Sequence, residues 1–563
     1  MRISIPFILF VVLISRHEVS FGQEHKMSIN KNRLAQEEKQ DDPYLPNAFD
    51  NKRVSPAYKY CNQGKNTTST LITTTQVNVD ALGQNIGFDA ANEPGIAVNP
   101  LNANEIVIGW RQFDNVSSNF RQAGWAYTND GGLTWTFPGV IEPGIFHSDP
   151  VVDFDRFGNF YYNSLTNITG AYTCKVFEST NGGVNWNAGI DAQGGDKQWM
   201  AIDRTLGVGS GNIYSFWTAS SSSCPPYNFT RLTNSNGFFE PCITADGDPY
   251  WGTMAVNNSG DLFISSGGFL DSLIVIKSIN AQIPGSTITW DTAVVFMDGN
   301  VSGFVPMNPV GILGQTNIDV DRSNGPGAGN VYLMASLQRI SNFDPADVMF
   351  VRSTDGGVTW SNPIQINDDI SSTNTNWFGT MSVAPNGRID VIWLDTRDNP
   401  GLDNSALYYS YSTDQGNTWS INEKLSNSFD PHVGYPNQDK MGDYYDMVSD
   451  NIGAHLSWAN TLNGEQDVYY SHIVPPIPIN INSITEDLSI AVYPNPTAGT
   501  FTVANTERHY QIEIYSLLGE NIYLAASDNS KSTVDISTLN SGIYFMKVIN
   551  KNGATHIKKI IKE

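Results

Sequence analysis

Twelve side chains able to bind or react fall at matching points of a repeated pattern. They are Glu93, Arg111, Asp149, Lys197, Trp199, Trp251, Arg339, Trp377, Asp395, Arg397, Asp443 and Tyr444. Guanidinium groups clamp carboxylates through paired hydrogen bonds, carboxylates give and take protons, and indole rings offer flat apolar platforms. Each also has a plainer use. Asp395-Thr-Arg397 reads equally as an ion pair holding a loop, and Glu93 as a bond to loop backbone. Trp199, Trp251 and Trp377 read as packing or as a stacking surface. Other chemistry is missing from the chain: it has no phosphate-binding glycine loop, no H-E-x-x-H and no G-x-S-x-G elbow. Its 8 histidines are scattered. Cys61, Cys174, Cys224 and Cys242 show no C-x-x-C spacing, which argues against a thiolate metal site.

The pattern that places these residues begins at Glu93, Asp149, Trp199, Trp251, Thr316, Trp377 and Tyr444, at intervals of 56, 50, 52, 65, 61 and 67 residues. Each copy is an apolar run, a Gly/Asn/Asp turn and a second run often ending in an aromatic. Self-similarity at this period predicts a β-propeller built from four-stranded antiparallel blades. Seven copies give seven blades; six is the alternative count. The seventh copy lacks a fourth strand before Pro475-Pro476, and the Thr-rich run at residues 67–79 could supply it.

A second, shorter phrase follows copies one, two, five and six. It reads Thr128-Asn-Asp130-Gly-Gly132-Leu-Thr134-Trp135, then Ser179-Thr-Asn181-Gly-Gly183-Val-Asn185-Trp186. The later pair is Ser353-Thr-Asp355-Gly-Gly357-Val-Thr359-Trp360 and Ser412-Thr-Asp414-Gln-Gly416-Asn-Thr418-Trp419. Ser/Thr and Asp oxygens bond the turn's own N–H groups, Gly takes positive φ, and Trp turns inward to pack. Degenerate versions stand around residues 233–237 and at Thr289-Trp290. Strands alternate in direction, so this turn and the one after strand one share a face. The start of strand one and the end of strand two lie on the opposite face, around the axis, where the twelve side chains gather.

The octapeptide resembles the Asp box (S/T-x-D-x-G-x-x-W) of sialidases and related β-propellers; Asn181 departs from it by losing the charge. The resemblance implies a structural turn opposite the active site. It also implies, for a sialidase, three arginines on the substrate carboxylate, an Asp acid/base and a Tyr nucleophile assisted by Glu. The positions that could answer are Arg111, Arg339 and Arg397, Asp149 and Asp395, and Tyr444 with Glu93. The family's F/Y-R-I-P phrase is absent: Asn92-Glu93-Pro94-Gly95-Ile96 stands in its place without an arginine. That favours a propeller binding carbohydrate or protein ligands, with a carbohydrate or glycoprotein as the expected partner, over an exo-acting, retaining sialidase, which stays as the alternative.

Arg2, the apolar run at residues 3–14 and a polar stretch ending at Gly22 have the layout of a signal peptide over 1–22. No other stretch is long and apolar enough to span a bilayer. Residues 23–60 read as a polar leader, 61–474 as the propeller and 475–484 as a proline-stiffened linker. Export permits disulfides. Cys224 and Cys242, flanking 17 residues, are the first candidate pair; Cys61 with Cys174 is weaker. Residues 61–484 hold 41 Asp+Glu against 16 Lys+Arg. This excess opposes nucleic acid and anionic membranes as partners and makes calcium a candidate ligand of acidic loops.

Residues 485–563 change texture to short alternating strands, at 499–503, 511–516, 542–549 and 557–561, which predicts a small β-sandwich. Val492-Tyr493-Pro494-Asn495-Pro496-Thr497, Ile514-Tyr515-Ser516-Leu517-Leu518-Gly519, Leu539-Asn540-Ser541-Gly542-Ile543-Tyr544 and the basic ending resemble the C-terminal sorting domain of type IX secretion cargo. The resemblance implies passage across an outer membrane of a Bacteroidetes-type bacterium, removal of the tail, and the type IX machinery as a partner.

Overall fold

The structure, a computed structural model, describes residues 42–44, 54–62, 69–167, 170–220, 222–234, 237–268, 270–301, 305–476, 490–504, 509–516, 521–550 and 555–563. The expected signal peptide, most of the leader and residues 477–484 of the linker lie outside them. Among the described residues every regular element is a strand. The chain divides into two compact units, Met1–Pro476 and Ile477–Glu563.

Seven antiparallel sheets follow one another in the first unit. Their first strands are Ala90–Val98, His147–Phe154, Trp199–Ile202, Met254–Val256, Asn317–Val320, Asn376–Val383 and Asp446–Ser449. Each of these strands touches the next in this order, and the last touches Ala90–Val98. First and second strands are apolar through most of their length and buried on both faces, as in Ala90–Val98 and Ile106–Phe113. Fourth strands such as Thr136–Ile141 are largely open to water. The seventh sheet takes its fourth strand from the start of the unit: Leu71–Gln76 pairs antiparallel with Asp467–Val474. Lys59–Cys61 then adds to Leu71–Gln76, and Val54–Pro56 pairs with Gln84–Ile86. Val54–Pro56 and the start of Lys59–Cys61, expected in the flexible leader, are thus strands: the second adds to the open edge of the seventh sheet and the first pairs with Gln84–Ile86 in a two-stranded sheet. The third sheet has three strands, and a bridge from Phe229 to Ile243 stands where a fourth would lie.

Between sheets, first strands have backbone N–H groups with no ladder partner, and these must be satisfied if buried. Side chains one sheet away do it. The carboxylate of Asp446 accepts from Ile96 N at 3.0 Å, Asp153 from Ile202 N at 2.9 Å and Asp319 from Val383 N at 2.8 Å. The hydroxyls of Thr253 and Ser382 accept from Ile318 N and Ser449 N at 3.0 and 2.9 Å.

The octapeptide turns show the expected local bonding and a further job. Thr128 Oγ1 donates to Asp130 Oδ1 (2.7 Å), which also accepts from Thr134 N (3.0 Å), while Gly132 N donates to Thr128 Oγ1 (3.2 Å). Asn181, Asp355 and Asp414 accept from the backbone four residues on in the same way. Each turn is also held by the sheet before it. Thr75 Oγ1 donates to Gly132 O, Trp125 Nε1 to Gly183 O, Lys277 Nζ to Gly356 O and Arg352 Nη1 to Gln415 O. The tryptophans follow: Trp135 meets Tyr470 edge-on and Trp419 meets Phe350, while Trp186 and Trp360 pack on the adjoining cores. A fifth, stretched version spans Ser278, Asn280, Thr289 and Trp290: Thr289 N donates to Asn280 Oδ1 across 9 residues rather than 4.

In the second unit, Ala491–Tyr493, Thr500–Ala504 and Lys531–Asp535 form one sheet. Asn521–Ser527, Tyr510–Tyr515, Gly542–Asn550 and Thr555–Lys562 form the other. Both sheets contribute to one apolar cluster that includes Phe501, Val534, Ile514 and Met546.

Gly132 has φ +86°, and a Cβ there would collide with the Tyr470 ring of the seventh sheet. Gly285 has φ +70° and open space around it. Gly285→Ala should cost about 1–2 kcal/mol through the backbone alone. Gly132→Ala should cost a further ~1–3 kcal/mol through overpacking. Urea unfolding of the two variants measures the difference.

Candidate functional site

Each of the seven first strands has, at or close to its start, a residue in the left-handed region. These are Glu93 (φ 49°), Asp149 (47°), Lys197 (55°), Trp251 (53°), Gly314 (139°), Phe378 (54°) and Gly442 (105°). Only two are glycine, so the other five accept a backbone cost of about 1 kcal/mol or more each. The strand register slips at this level, between Asn92 and Gly95, between Asn163 and Leu165, and between Trp377 and Thr380. A local kink of this kind re-aims the side chain it carries.

At the entry to sheets one, two, three and seven the re-aimed side chains meet as a buried charge network. Arg111 Nε lies 3.1 Å from Glu93 Oε2, and Lys440 Nζ lies 3.4 Å from Glu93 Oε1 and 2.8 Å from Asp443 Oδ2. Lys197 Nζ stands 3.0 Å from Asp443, 3.5 Å from Asp149 and 3.0 Å from Asp196. All but Asp196 are at most 3% exposed. Arg111 also donates to Asn92 Oδ1 and Gln438 Oε1. Burial pushes the carboxyls of Asp149 and Asp443 up, and Lys197 foremost, with Lys440 and Arg111, more than reverses that, leaving both well below the ordinary range. Glu93 goes the other way. Burial outweighs Arg111 and Lys440 and pushes it up to about 7. Its oxygens sit at ion-pair distance yet accept no aligned hydrogen bond.

The other expected site residues lie elsewhere or are occupied. Arg397 binds Asp395 (2.8 Å), Asp368 (2.6 Å) and Asp369 (3.4 Å), the loop-holding arrangement. Arg339 binds Asp298 and Asp347 at 2.5 and 2.6 Å. Arg111, Arg339 and Arg397 therefore share no carboxylate among the described residues. Asp395 also accepts from Trp393 Nε1 and Asn376 Nδ2, and burial lifts it to about 6 against the pull of Arg397. The Tyr444 hydroxyl donates to Pro150 O at 2.9 Å, and its ring meets Trp199 edge-on. Trp199, Trp251 and Trp377 are all buried, and Trp377 donates to Ser405 Oγ. The charged side chains expected on that face are thus met by one another, because the kinks turn them together.

Trp199, Phe378, Tyr444 and Tyr445 pack beside one another as an aromatic layer. Further along the same first strands a cavity of about 330 Å³ opens, lined by all seven of them. Asp153 with Arg204 and Asp319 with Arg322 line it, together with Asn317, Ser382, Asp446 and Ser449. Among the described residues Asp446 has no cation within ion-pair distance, and burial pushes it up to about 7. The exposed rim is Pro100, Arg204 and Pro385, on the side of the octapeptide turns, since Gly131 N donates to Asn104 O in the turn after strand one.

Cys224 and Cys242 are joined by a disulfide. Cys61 is exposed and Cys174 buried, and both are free thiols, so the weaker pairing is corrected. Lys440 was missed from sequence; its sign was a Lys–Asp pair three residues apart just before an apolar strand.

Residues 491–563 match the family model of the secretion system C-terminal sorting domain. The protein is accordingly exported by type IX secretion, to the cell surface or the medium. No curated protein matches the chain. Among solved structures it is similar to a protein of unknown function from Dyadobacter fermentans DSM 18053, at TM-score 0.41 and 14% identity over 71% of this chain and 98% of that one. It is similar also to a Hadza microbial sialidase, at 0.34 and 12% over 69% and 66% of the two chains. An ulvan lyase of a new polysaccharide lyase family stands at 0.36 and 12%, over 69% and 94%.

Removing one charge from the network should be costly. Lys197→Met leaves Asp149 and Asp443 short of a cation and should destabilise the fold by about 3–5 kcal/mol. For Glu93, a folded pKa above the ordinary 4.5 means that its contribution is full below pH 4.5 and is lost as pH rises through about 7. Glu93→Gln cannot ionise, so its stability relative to the parent should rise across that window. Urea midpoints taken from pH 4 to 8 give the slope.

Proposed function

We propose that the first unit is a closed seven-bladed β-propeller of the Asp-box kind that binds a carbohydrate or glycoprotein ligand outside the cell without hydrolysing it. The observation that carries this reading is the occupied network. The residues a sialidase would need, Arg111, Glu93, Asp149 and Tyr444, are buried and spent on one another or on backbone. A catalytic clamp needs donors facing a space where substrate can sit. The concave space lies instead on the octapeptide side, in a volume suited to one sugar ring or a short loop. Its paired charges and hydroxyls offer donors and acceptors in fixed positions, which is the equipment of recognition. The succession of touching first strands and the shared seventh sheet support closure of the propeller.

Exo-sialidase activity is the second reading, favoured by one observation: Glu93, pushed up to about 7, could exchange a proton near neutrality if the network opened.

The test is a panel of fluorogenic glycosides, sialosides included, with the purified chain, with and without calcium, followed by a glycan array. We expect no turnover, and array binding that Arg204→Ala weakens at least tenfold. Sialoside turnover lost in Arg397→Ala would overturn the binding reading.

A further inference from the structure

His455 and His472 stand directly opposite each other on strands Ala454–Asn460 and Asp467–Val474 of the seventh sheet. Directly paired positions project from the same face of a sheet. Their imidazoles lie nearly parallel, 16° apart in plane and 4.7 Å between centroids. Asp450, in the turn leading into the first of these strands, brings a carboxylate to the same place: its Oδ2 is 3.4 Å from His455 Nε2. One donor atom from each residue lies within 4.8 Å of the other two.

The bonding around the cluster leaves the inward atoms spare. Asp450 Oδ1 is used by Ile452 N and Gly453 N, at 2.7 and 2.8 Å, which leaves Oδ2 for the histidines. His455 Nδ1 lies 2.8 Å from the Tyr470 hydroxyl, a contact that fixes the ring and turns Nε2 inward. His455 is 3% exposed, and among the described residues the buried Nε2 of His472 has no hydrogen-bond partner, while that of His455 faces only Asp450 Oδ2 without an aligned bond. A buried imidazole nitrogen left without a well-aligned partner costs free energy. A proton on His455 Nε2 would answer Asp450 but would leave the buried His472 Nε2 without a partner. One cation between the three groups answers all of them. Arg388 is the nearby positive group, and its charge is met by Asp390, at 2.9 Å.

We propose that Asp450, His455 and His472 bind one divalent transition metal, zinc foremost. Two imidazoles and a carboxylate suit zinc and not the harder calcium. With bonds of about 2.0–2.2 Å, tetrahedral ligands stand roughly 3.4 Å apart, so small side-chain rotations close the set. Asp450 and His472 are partly exposed, which leaves the fourth position to water. The metal would tie the turn of the seventh sheet to the strand that receives Leu71–Gln76, where His472 pairs with Thr73.

The test uses the full chain stripped with chelator and titrated with zinc by calorimetry, with thermal unfolding in parallel. The expected result is one equivalent bound at micromolar Kd or tighter, and a raised Tm. His472→Gln should weaken binding at least 100-fold and Asp450→Asn at least tenfold. Cobalt(II) added to the unmutated chain should give the visible bands of a tetrahedral site, a readout that does not depend on any variant folding. No stoichiometric zinc uptake, or uptake unchanged in a folded His472→Gln, overturns the proposal.

Discussion

The pairing of Leu71–Gln76 with Asp467–Val474 is the contact on which the first unit depends. Without it the seventh sheet would end on an open edge, and the first octapeptide would lose its support. Thr75, in that strand, accepts the Trp135 indole N–H and donates to Gly132 O. The contact joins residues some 400 apart, and the loop-closure entropy is recovered only when the sheets between them are in place. Local bonding within each sheet and side-chain bonds between first strands make that recovery possible.

Charge is handled differently at the two ends of the first strands. At one end Arg111, Lys197 and Lys440 face Glu93, Asp149, Asp443 and Asp196 with almost no access to water. Such groups are costly to bury and costlier to unpair, so they specify one arrangement of four sheets more than they add stability. At the other end the pairs Asp153–Arg204 and Asp319–Arg322 keep partial exposure, and space remains between them.

What could be read from sequence follows from how local the cause is. The octapeptides were legible because Thr128, Asp130, Gly132 and Thr134 bond within one turn. The seven copies were legible because buried first strands demand an apolar run at each recurrence. The stretched turn at Ser278 to Trp290 was half seen, since an insertion separates residues whose bonding is unchanged. The C-terminal strands Ala491–Tyr493, Asn521–Ser527 and Lys531–Asp535 escaped because short exposed strands carry little alternation. Of the expected site residues, the structure brings Glu93, Arg111, Asp149, Lys197 and Asp443 together and leaves Arg339 and Arg397 apart; the meeting depends on left-handed backbone at Glu93, Asp149 and Lys197, which those residue types do not announce. His455 and His472 looked scattered because only strand register makes them neighbours.

The octapeptide turns all lean one way, each onto the sheet that precedes it. A chain emerging from its N-terminus therefore makes the seat for each turn before the turn arrives: Val107 before Gly183, Phe263 before Gly357, Phe350 before Gly416. The first turn is the exception, for Gly132 and Trp135 wait on Tyr470, near the end of the unit. Three of the four seats thus stand earlier in the chain than the turns they receive, and the fourth comes last.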